Sequence, residues 1–490
     1  KTTKTLNIGL LGVLTKHKGG TIVAELAEKI ERENLDVRIK LIGTSCVDIN
    51  SPVFSQTGAY TRGAIPRLTL ENDIDVFLIP SIWPETFSYT TEEIMKMGMP
   101  IMCFDIGAPA ERVKKYEKGI IIPAISAESV YQTIRDNQIV KESTDKKVNS
   151  QKVLFVVQEV TFSSRYRIDH LREQLIRKGI SSDCVSIKDT KKCDLKAYNS
   201  IVVYRISEYE KLKKLKSKAK KLNMQVFYDI DDYIFNYQAI KDIGFLKGKE
   251  YRNYENYTEQ IRNCMEICDG YIVSTLSLKK VIKEQFPGKV VVVNRNVASM
   301  EMVIASLTVE KVHKDNITIG YFSGTKTHND DFESIKDELL SVMQKNENIH
   351  LLVAGQIELP AEFNAVKDQV ETFKFVSWQE LPHLIAKADI NLMPLENSIF
   401  HECKSENKWM EAALVNVPTI ASRNSELASV IRDGEDGFLC KNSEEWAEKL
   451  NKLIRDESLR NQIASSAHAR IMKEYMTDDM EMETLRAILK

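Results

Sequence analysis

The chain has 490 residues, 43% of them apolar, and its 68 Lys and Arg against 70 Asp and Glu leave a net charge of −2. That length predicts two to four domains with real cores, and the charge balance gives no reason to expect nucleic acid as a partner. The eight cysteines form no CxxC pair, and Cys103 and Cys440 sit in apolar runs, so buried free thiols are expected rather than disulfides or zinc.

No apolar run approaches the roughly 18 residues of a membrane-spanning helix, and no signal peptide is expected. The sequence opens at Lys1, a few residues before a strand, and reads as a piece of a longer protein. Leu6 to Leu11 is predicted as a strand closing at Gly12. The loop Thr15–Gly20 leads into a helix whose apolar positions Ile22, Val23, Leu26, Ala27 and Ile30 follow a helical period. A glycine-rich loop before a helix is a natural anion site, because free backbone N–H groups point outward there. Val37 to Ile42 is the next strand, closing at Gly43. The run Ile74, Val76, Phe77, Leu78, Ile79 stops at Pro80, as a buried parallel strand does. After it come a loop with Trp83 and Glu85, a helix around Glu93, a Gly98-Met99-Pro100 turn and a strand from Ile101 to Phe104. Gly119 to Pro123 is a further strand, followed by a helix from about Ser126. Ligands of open α/β sheets sit at the carboxyl ends of the strands, which makes Glu85 and Glu93 candidate site residues; the plain alternative is two solvated glutamates. Lys141 to Ser150 is polar and charged and reads as a linker.

The stretch PSIWPETFSYTTEEIMKMGMPIMCFDIGAPAER, Pro80 to Arg112, resembles the Glu-x7-Glu signature of retaining GT-B glycosyltransferases of the family 4 type. The resemblance implies that Glu85 lies by the donor sugar and Glu93 by the nucleotide ribose. It also implies that Lys18-Gly19 holds the donor pyrophosphate. The family often carries an Arg earlier in that loop, and here there is none.

A second α/β alternation begins at Lys152–Val157, with further strands at Ser200–Tyr204, Gln225–Tyr228, Gly270–Val273 and Lys289–Val293. Its end, Cys268-Asp269-Gly270 through Asn294-Arg295-Asn296, resembles the end of the family's acceptor domain. Phe162-Ser163-Ser164-Arg165-Tyr166-Arg167 leads a helix; Arg165 and Arg167 are read either as phosphate contacts or as surface residues. Tyr228-Asp229-Ile230-Asp231-Asp232 stands at a strand end. Asp-x-Asp is a pattern that can hold Mg²⁺ or Mn²⁺ on a diphosphate, yet no metal is assigned. Asp231 or Asp232 instead suits an acceptor hydroxyl, as orienter or base, with loop capping as the alternative. His170, inside a helix, is given no role. The helix Glu208–Leu222 carries seven lysines, and Leu212, Leu215, Ala219 and Leu222 form one packing stripe. Its lysine face is read as simply solvated, or as a contact for anionic membrane or a lipid-pyrophosphate acceptor.

The third stretch repeats the first. Gly9, Gly43, Pro80 and Pro100 match Gly320, Gly355, Pro394 and Pro418, at intervals of 34, 37 and 20 against 35, 39 and 24. Glu93 lies seven before Pro100, and Glu411 lies seven before Pro418. Such agreement predicts the same fold twice. The loop Ser323–Asp330 resembles the SGT-x-THN loop of polysaccharide-building members, so Gly324, Thr325 and Lys326 are candidate phosphate contacts; the alternative is a solvated turn capping the next helix. In His401–Glu411, Glu411 fits the ribose position. The residue eight earlier is Cys403, so the Glu-x7-Glu pattern is broken here. Glu402 or Glu406 is the candidate replacement. Lys404 and Ser405 precede a helix and suit a pyrophosphate, while Lys408 is read as a surface lysine. Ile431-x-Asp433-Gly434-x-x-Gly437-Phe438 looks like the family's closing turn.

The expected fold class is α/β with three Rossmann-like domains, a GT-B pair preceded by an extra GT-B C-terminal domain. The nucleotide-binding domain of a first glycosyltransferase unit occupies residues 1–140, a linker 141–150, the acceptor domain 151–312, and the nucleotide-sugar domain 313–490. The last helix, around Met480 to Leu489, is expected to cross back to the acceptor domain. An upstream half for the first unit is expected before Lys1. The resemblance implies metal-independent, retaining transfer from a UDP-, dTDP- or GDP-linked sugar to a glycan or lipid-linked acceptor of a bacterial surface polysaccharide, on the cytoplasmic side. A GT-B epimerase and a degenerate scaffold for a partner transferase are the alternatives.

Overall fold

The computed structural model describes residues 5–60, 65–85, 88–136, 151–159, 163–178, 180–237, 248–307, 309, 316–324, 329–477 and 482–489. The chain divides into two compact units, Lys1–Val148 and Asn149–Lys490. Every strand pairing described is parallel, in three six-stranded sheets. Residues 141–150, read as a linker, lie outside the described residues.

The first unit holds β1 (Leu6–Leu14), β2 (Val37–Ser45), β3 (Phe54–Gln56), β4 (Val76–Ile79), β5 (Ile101–Phe104) and β6 (Gly119–Ile122), ordered β3-β2-β1-β4-β5-β6. Ile8 pairs with Ile39 on one side and Val76 on the other. The helix Gly20–Arg32 buries Val23, Leu26 and Ala27 against this sheet, in one core with Ile8, Leu10, Met102 and Phe104. β1 runs on past Gly12, where the expected strand stopped. Gly12 stays in the ladder opposite Gly43. Gly43 has φ +143°, and a Cβ there would lie 1.8 Å from the Gly12 carbonyl oxygen. The two backbones approach too closely for any side chain.

The second unit holds two sheets. One comprises β7 (Lys152–Val157), β8 (Ser181–Ser186), β9 (Ser200–Tyr204), β10 (Gln225–Ile230), β11 (Gly270–Val273) and β12 (Val290–Val293), ordered β12-β11-β10-β9-β7-β8. The other comprises β13 (Ile317–Ser323), β14 (Ile349–Gly355), β15 (Val370–Phe373), β16 (Ile390–Met393), β17 (Thr419–Ser422) and β18 (Phe438–Cys440), ordered β15-β14-β13-β16-β17-β18. Counted from its own first strand, this last sheet repeats the order of the first unit's sheet, the 3-2-1-4-5-6 order of doubly wound nucleotide folds. Gly355 repeats Gly43: φ is +113°, and a Cβ would lie 1.7 Å from the Ser323 carbonyl oxygen.

β3, β8 and β15 are additions to the expected elements. Each is an edge strand of mixed or polar sequence, FSQ, SSDCVS and VETF. Half-exposed edges need no apolar run.

The chain ends on the middle sheet. The helix Met482–Ile488 places Ala487 and Ile488 in a core with Val153, Phe155, Val202, Ile272 and Val292. Thr484 Oγ1 donates to the Val293 carbonyl at 2.7 Å. On the way, Ala298 N–H donates to the Tyr475 carbonyl at 2.7 Å and Thr477 N–H to the Ala298 carbonyl at 3.2 Å.

Candidate functional site

In the second unit, residues that follow β7, β10, β11 and β12 meet the loop and helix that follow β16. That seam joins the carboxyl ends of two parallel sheets, where loops are free to carry polar side chains.

The seam is built of charge pairs. Arg165 opens a π-helical turn, Arg165–Asp169, that leads into the helix His170–Arg177; such wide turns recur at functional sites. Arg165 Nη2 lies 2.8 Å from Glu411 Oε1, and the Tyr166 hydroxyl donates to the same oxygen at 2.5 Å. The Arg165 guanidinium also lies 5.1 Å from the Trp378 ring centroid. Burial holds the Tyr166 phenol protonated well above its ordinary range. Lys404 Nζ lies 3.1 Å from Asp232 and 4.3 Å from the Phe400 ring centroid. Asn296 Nδ2 donates to Ser405 Oγ at 3.0 Å, and Thr275 Oγ1 donates to the Cys403 carbonyl at 3.2 Å.

Behind this row stands Arg205, at the end of β9, with φ +44°. A left-handed conformation is uncommon for so long a side chain and persists where surrounding contacts enforce it. Arg205 donates to Asp231 from Nε at 2.8 Å and approaches Asp232 at 3.5 Å. The Tyr204 hydroxyl donates to Asp231 at 3.2 Å. Asp231, proposed as an orienter or base, thus already accepts from two side chains. Arg205 had no signal in the sequence.

Of the candidates for the missing acid, Glu402 is hydrogen-bonded elsewhere, and Glu406 is buried beside Arg295 with neither oxygen hydrogen-bonded among the described residues. Glu402 caps the helix Ser425–Val430, accepting from Ser425 N–H at 3.1 Å and from its hydroxyl. Glu406 is fully enclosed, 3.5 Å from Arg295, and burial raises its pKa. Arg295 also pairs with Glu426 at 2.8 Å. Cys403 is buried, and burial pushes its thiol above the ordinary range. Glu411 lies on the helix Asn407–Leu414, half-buried, with Lys404 and Ser405 in the loop before it. Gly324 is exposed at the end of β13; Thr325 and Lys326 lie outside the described residues.

Three earlier expectations change. Arg167 is no phosphate contact: it is fully buried, paired through two nitrogens with Asp229 at 2.7 and 2.9 Å, and donates to the Asn294 carbonyl and Asn296 Oδ1. Burial lifts the Asp229 carboxyl to about 6, while Arg167 pulls against that shift. Lys408 is no surface lysine: its Nζ is enclosed, 4.6 Å from the Tyr321 ring centroid. Leu222 leaves the packing stripe of its helix and is 39% exposed, while Leu212, Leu215 and Ala219 are buried. On that helix, Lys211 pairs with Glu208 and Lys216 with Asp269.

His170, left without a role, is buried with Nδ1 2.7 Å from the Val297 carbonyl and its ring edge-on to Tyr166. Burial drives its pKa down to about 3.

In the first unit, Gly19 precedes the helix Gly20–Arg32 with φ +76°, and a Cβ there would lie 1.9 Å from the Pro80 carbonyl oxygen. That contact presses the loop against the end of β4. Lys18 is exposed. Glu93 is buried on the helix Tyr89–Lys96, which Ser88 caps, and Glu85 is half-exposed, its carbonyl accepting from Ala108 N–H at 2.9 Å.

A family model described as "Glycosyl transferases group 1" matches residues 5–136 and 316–456, more than half of the chain. Those two stretches carry the two sheets of matching strand order. The chain is 25% identical over 178 residues to the capsular polysaccharide biosynthesis glycosyltransferase CapM of Staphylococcus aureus, covering 34% of this chain and 45% of that protein. The chain thus spans less than half the length of that relative. Among solved structures it is similar to HepE of Anabaena in complex with UDP and glucose, with 16% identity and a TM-score of 0.46 over 69% of this chain and all of that one. It is also similar to the sucrose-phosphate synthase of Thermosynechococcus elongatus, with 11% identity and a TM-score of 0.48 over 69% of this chain and 97% of that one. With the family's model matched twice, once on each of the two sheets that share a strand order, the chain belongs to the group 1 glycosyltransferases.

Proposed function

We propose that the second unit moves a sugar from a nucleotide-activated donor to a growing glycan or lipid-linked acceptor of a bacterial surface polysaccharide. One observation carries this reading. Lys404, Ser405 and Glu411 lie on one loop and helix start at the carboxyl end of β16, facing the middle sheet. A diphosphate needs cationic and N–H donors, and a ribose needs a carboxylate acceptor; this short stretch offers both. Residues 313–490 then form the nucleotide-sugar half and residues 151–312 the acceptor half. Residues 1–140, in the first unit, form the nucleotide-binding half of another transferase, with Lys18 and Gly19 for phosphate, Glu85 for the sugar and Glu93 for the ribose.

In this reading Lys404 and the helix N-terminus neutralise the departing diphosphate without a metal. The acceptor oxygen bonds to the anomeric carbon as the carbon–phosphate oxygen bond breaks. The leaving phosphate takes the acceptor proton, with retention. Asp231, held by Arg205, orients the acceptor hydroxyl. Glu402 and Glu406 act by fixing the helices around the loop. The capsular relative supports a surface polysaccharide as product, and a reaction at the inner face of the membrane suits a lipid-linked acceptor. The lysines of the helix Tyr209–Lys221 are the candidate contact with anionic lipid.

The test is calorimetric titration of the purified chain with UDP, dTDP and GDP, recording stoichiometry. Lys404→Ala with Glu411→Ala, and Glu85→Ala with Glu93→Ala, run beside it. One site lost only in the first pair supports the second unit as the enzyme. Two sites support a tandem transferase. Binding of none of the three overturns the reading and favours a scaffold, consistent with Cys403 standing where the family signature has Glu. Conversion of a nucleotide sugar without acceptor favours an epimerase.

A further inference from the structure

We propose that the Lys408 ammonium is a ligand of the donor's diphosphate, and that it takes up a proton when the diphosphate arrives. This rests on the donor site proposed above and adds to it a residue that lies beneath the loop.

Lys408 is the second residue of the helix Asn407–Leu414, four after Lys404 and three before Glu411. Lys408 and Glu411, three apart on that helix, share one of its sides, and Lys404 lies in the loop just before it. The Lys408 Nζ is enclosed and has no hydrogen-bond partner among the described residues. It lies 4.6 Å from the centroid of the Tyr321 ring of β13.

The charged groups facing it are Asp331, Lys404 and Glu411, and each is already engaged. Asp331 accepts from Glu396 N–H at 2.9 Å and lies 3.3 Å from His401 Nε2. Lys404 is held by Asp232 and Glu411 by Arg165. An enclosed ammonium without an acceptor is costly, and a purely structural lysine would be expected to have one. Burial pushes Lys408 down to about 8, with Asp331 opposing, Lys404 adding to the fall and Glu411 opposing.

A diphosphate at this helix start supplies what the site lacks. The first backbone N–H groups of a helix have no partner within it, and a phosphate oxygen reaching Lys408 closes its open donor positions. The anion stabilises the charged form, so the proton is drawn from solvent on binding.

The experiment is calorimetric titration of the full chain with UDP, dTDP and GDP at pH 8, in two buffers of different ionisation heat. All proteins carry Lys18→Ala, which removes the first unit's candidate cation. The parent is expected to take up about half a proton per nucleotide, since a group of pKa about 8 is half charged there. Lys408→Met is expected to bind at least about tenfold more weakly, with no uptake. Its melting temperature stays level or rises, because an uncompensated charge has been removed. Lys408→Arg keeps affinity within about threefold and shows no uptake, because a guanidinium does not deprotonate. A Lys408→Met protein that binds with parental affinity overturns the inference, whatever its melting temperature. If Lys404→Ala weakens binding while Lys408→Met does not, the donor site stands and this inference falls. If the parent binds none of the three nucleotides, both fall.

Discussion

Arg165 Nη2 lies 2.8 Å from Glu411 Oε1, so a side chain of the middle sheet grips the carboxylate proposed for the ribose. Lys404, proposed for the diphosphate, is held the same way by Asp232. Loops of the middle sheet thus engage both groups proposed to bind the donor. On that proposal, donor entry exchanges contacts rather than filling idle ones. Asp232→Asn removes the competitor of Lys404, and is expected to tighten nucleotide binding by up to about fivefold, the range of half-exposed ion pairs. Lys404→Ala is expected to weaken it by about tenfold or more. Titration of both variants checks the opposite signs.

Arg167 and Asp229 are a fully buried pair with all their bonds made to neighbours. Arg167→Met strands the Asp229 carboxylate and is expected to cost about 3–5 kcal/mol of stability in the second unit. Denaturant unfolding measures this, and the variant's affinity for nucleotide in water, where it is still folded, is expected to match that of the parent.

His170 sets an acid limit. Its folded pKa of about 3 lies below the ordinary 6.5, so below pH 6.5 the unfolded chain binds a proton that the folded chain refuses. Stability is therefore lost as pH falls through 6.5, and the loss continues down to about 3. Between pH 6.5 and 5 the expected loss is up to about 2 kcal/mol. His170→Gln, which keeps an N–H for the Val297 carbonyl, is expected to flatten that slope in unfolding curves at pH 7, 6 and 5.

Gly43 and Gly355 give a matched pair of tests. An alanine at either place meets a carbonyl oxygen at 1.8 or 1.7 Å, with positive φ. Each substitution is expected to cost about 1–3 kcal/mol or more. Gly43→Ala is expected to lower the unfolding transition of the first unit, and Gly355→Ala that of the second. Limited proteolysis followed by mass spectrometry reads which unit opens first.

Much of this was legible because parallel strands buried on both faces write themselves as apolar runs. The repeated spacing of Gly43 and Gly355 was visible for a stricter reason: each faces a carbonyl that leaves no room for a side chain. The edge strands β3, β8 and β15 carry no such run and could not be seen. Arg165 and Arg167 look alike in sequence. Only the π-helical turn sends one to the seam and the other into the core. Lys408 was misread because helical spacing gives its side but not its depth, and its depth is set by Tyr321 on β13, far away in the chain. Arg205 has no pattern at all, since its importance lies in a strained backbone angle.

The chain passes between the two sheets of the second unit more than once, and Ala298 fastens itself to both Tyr475 and Thr477 on the return. That clasp and the final helix, which packs in the core of the middle sheet, tie the chain's return to the sheet whose loops carry Arg165 and Asp232. The two halves of the seam are therefore joined by chain crossings as well as by the Lys404–Asp232 and Arg165–Glu411 pairs.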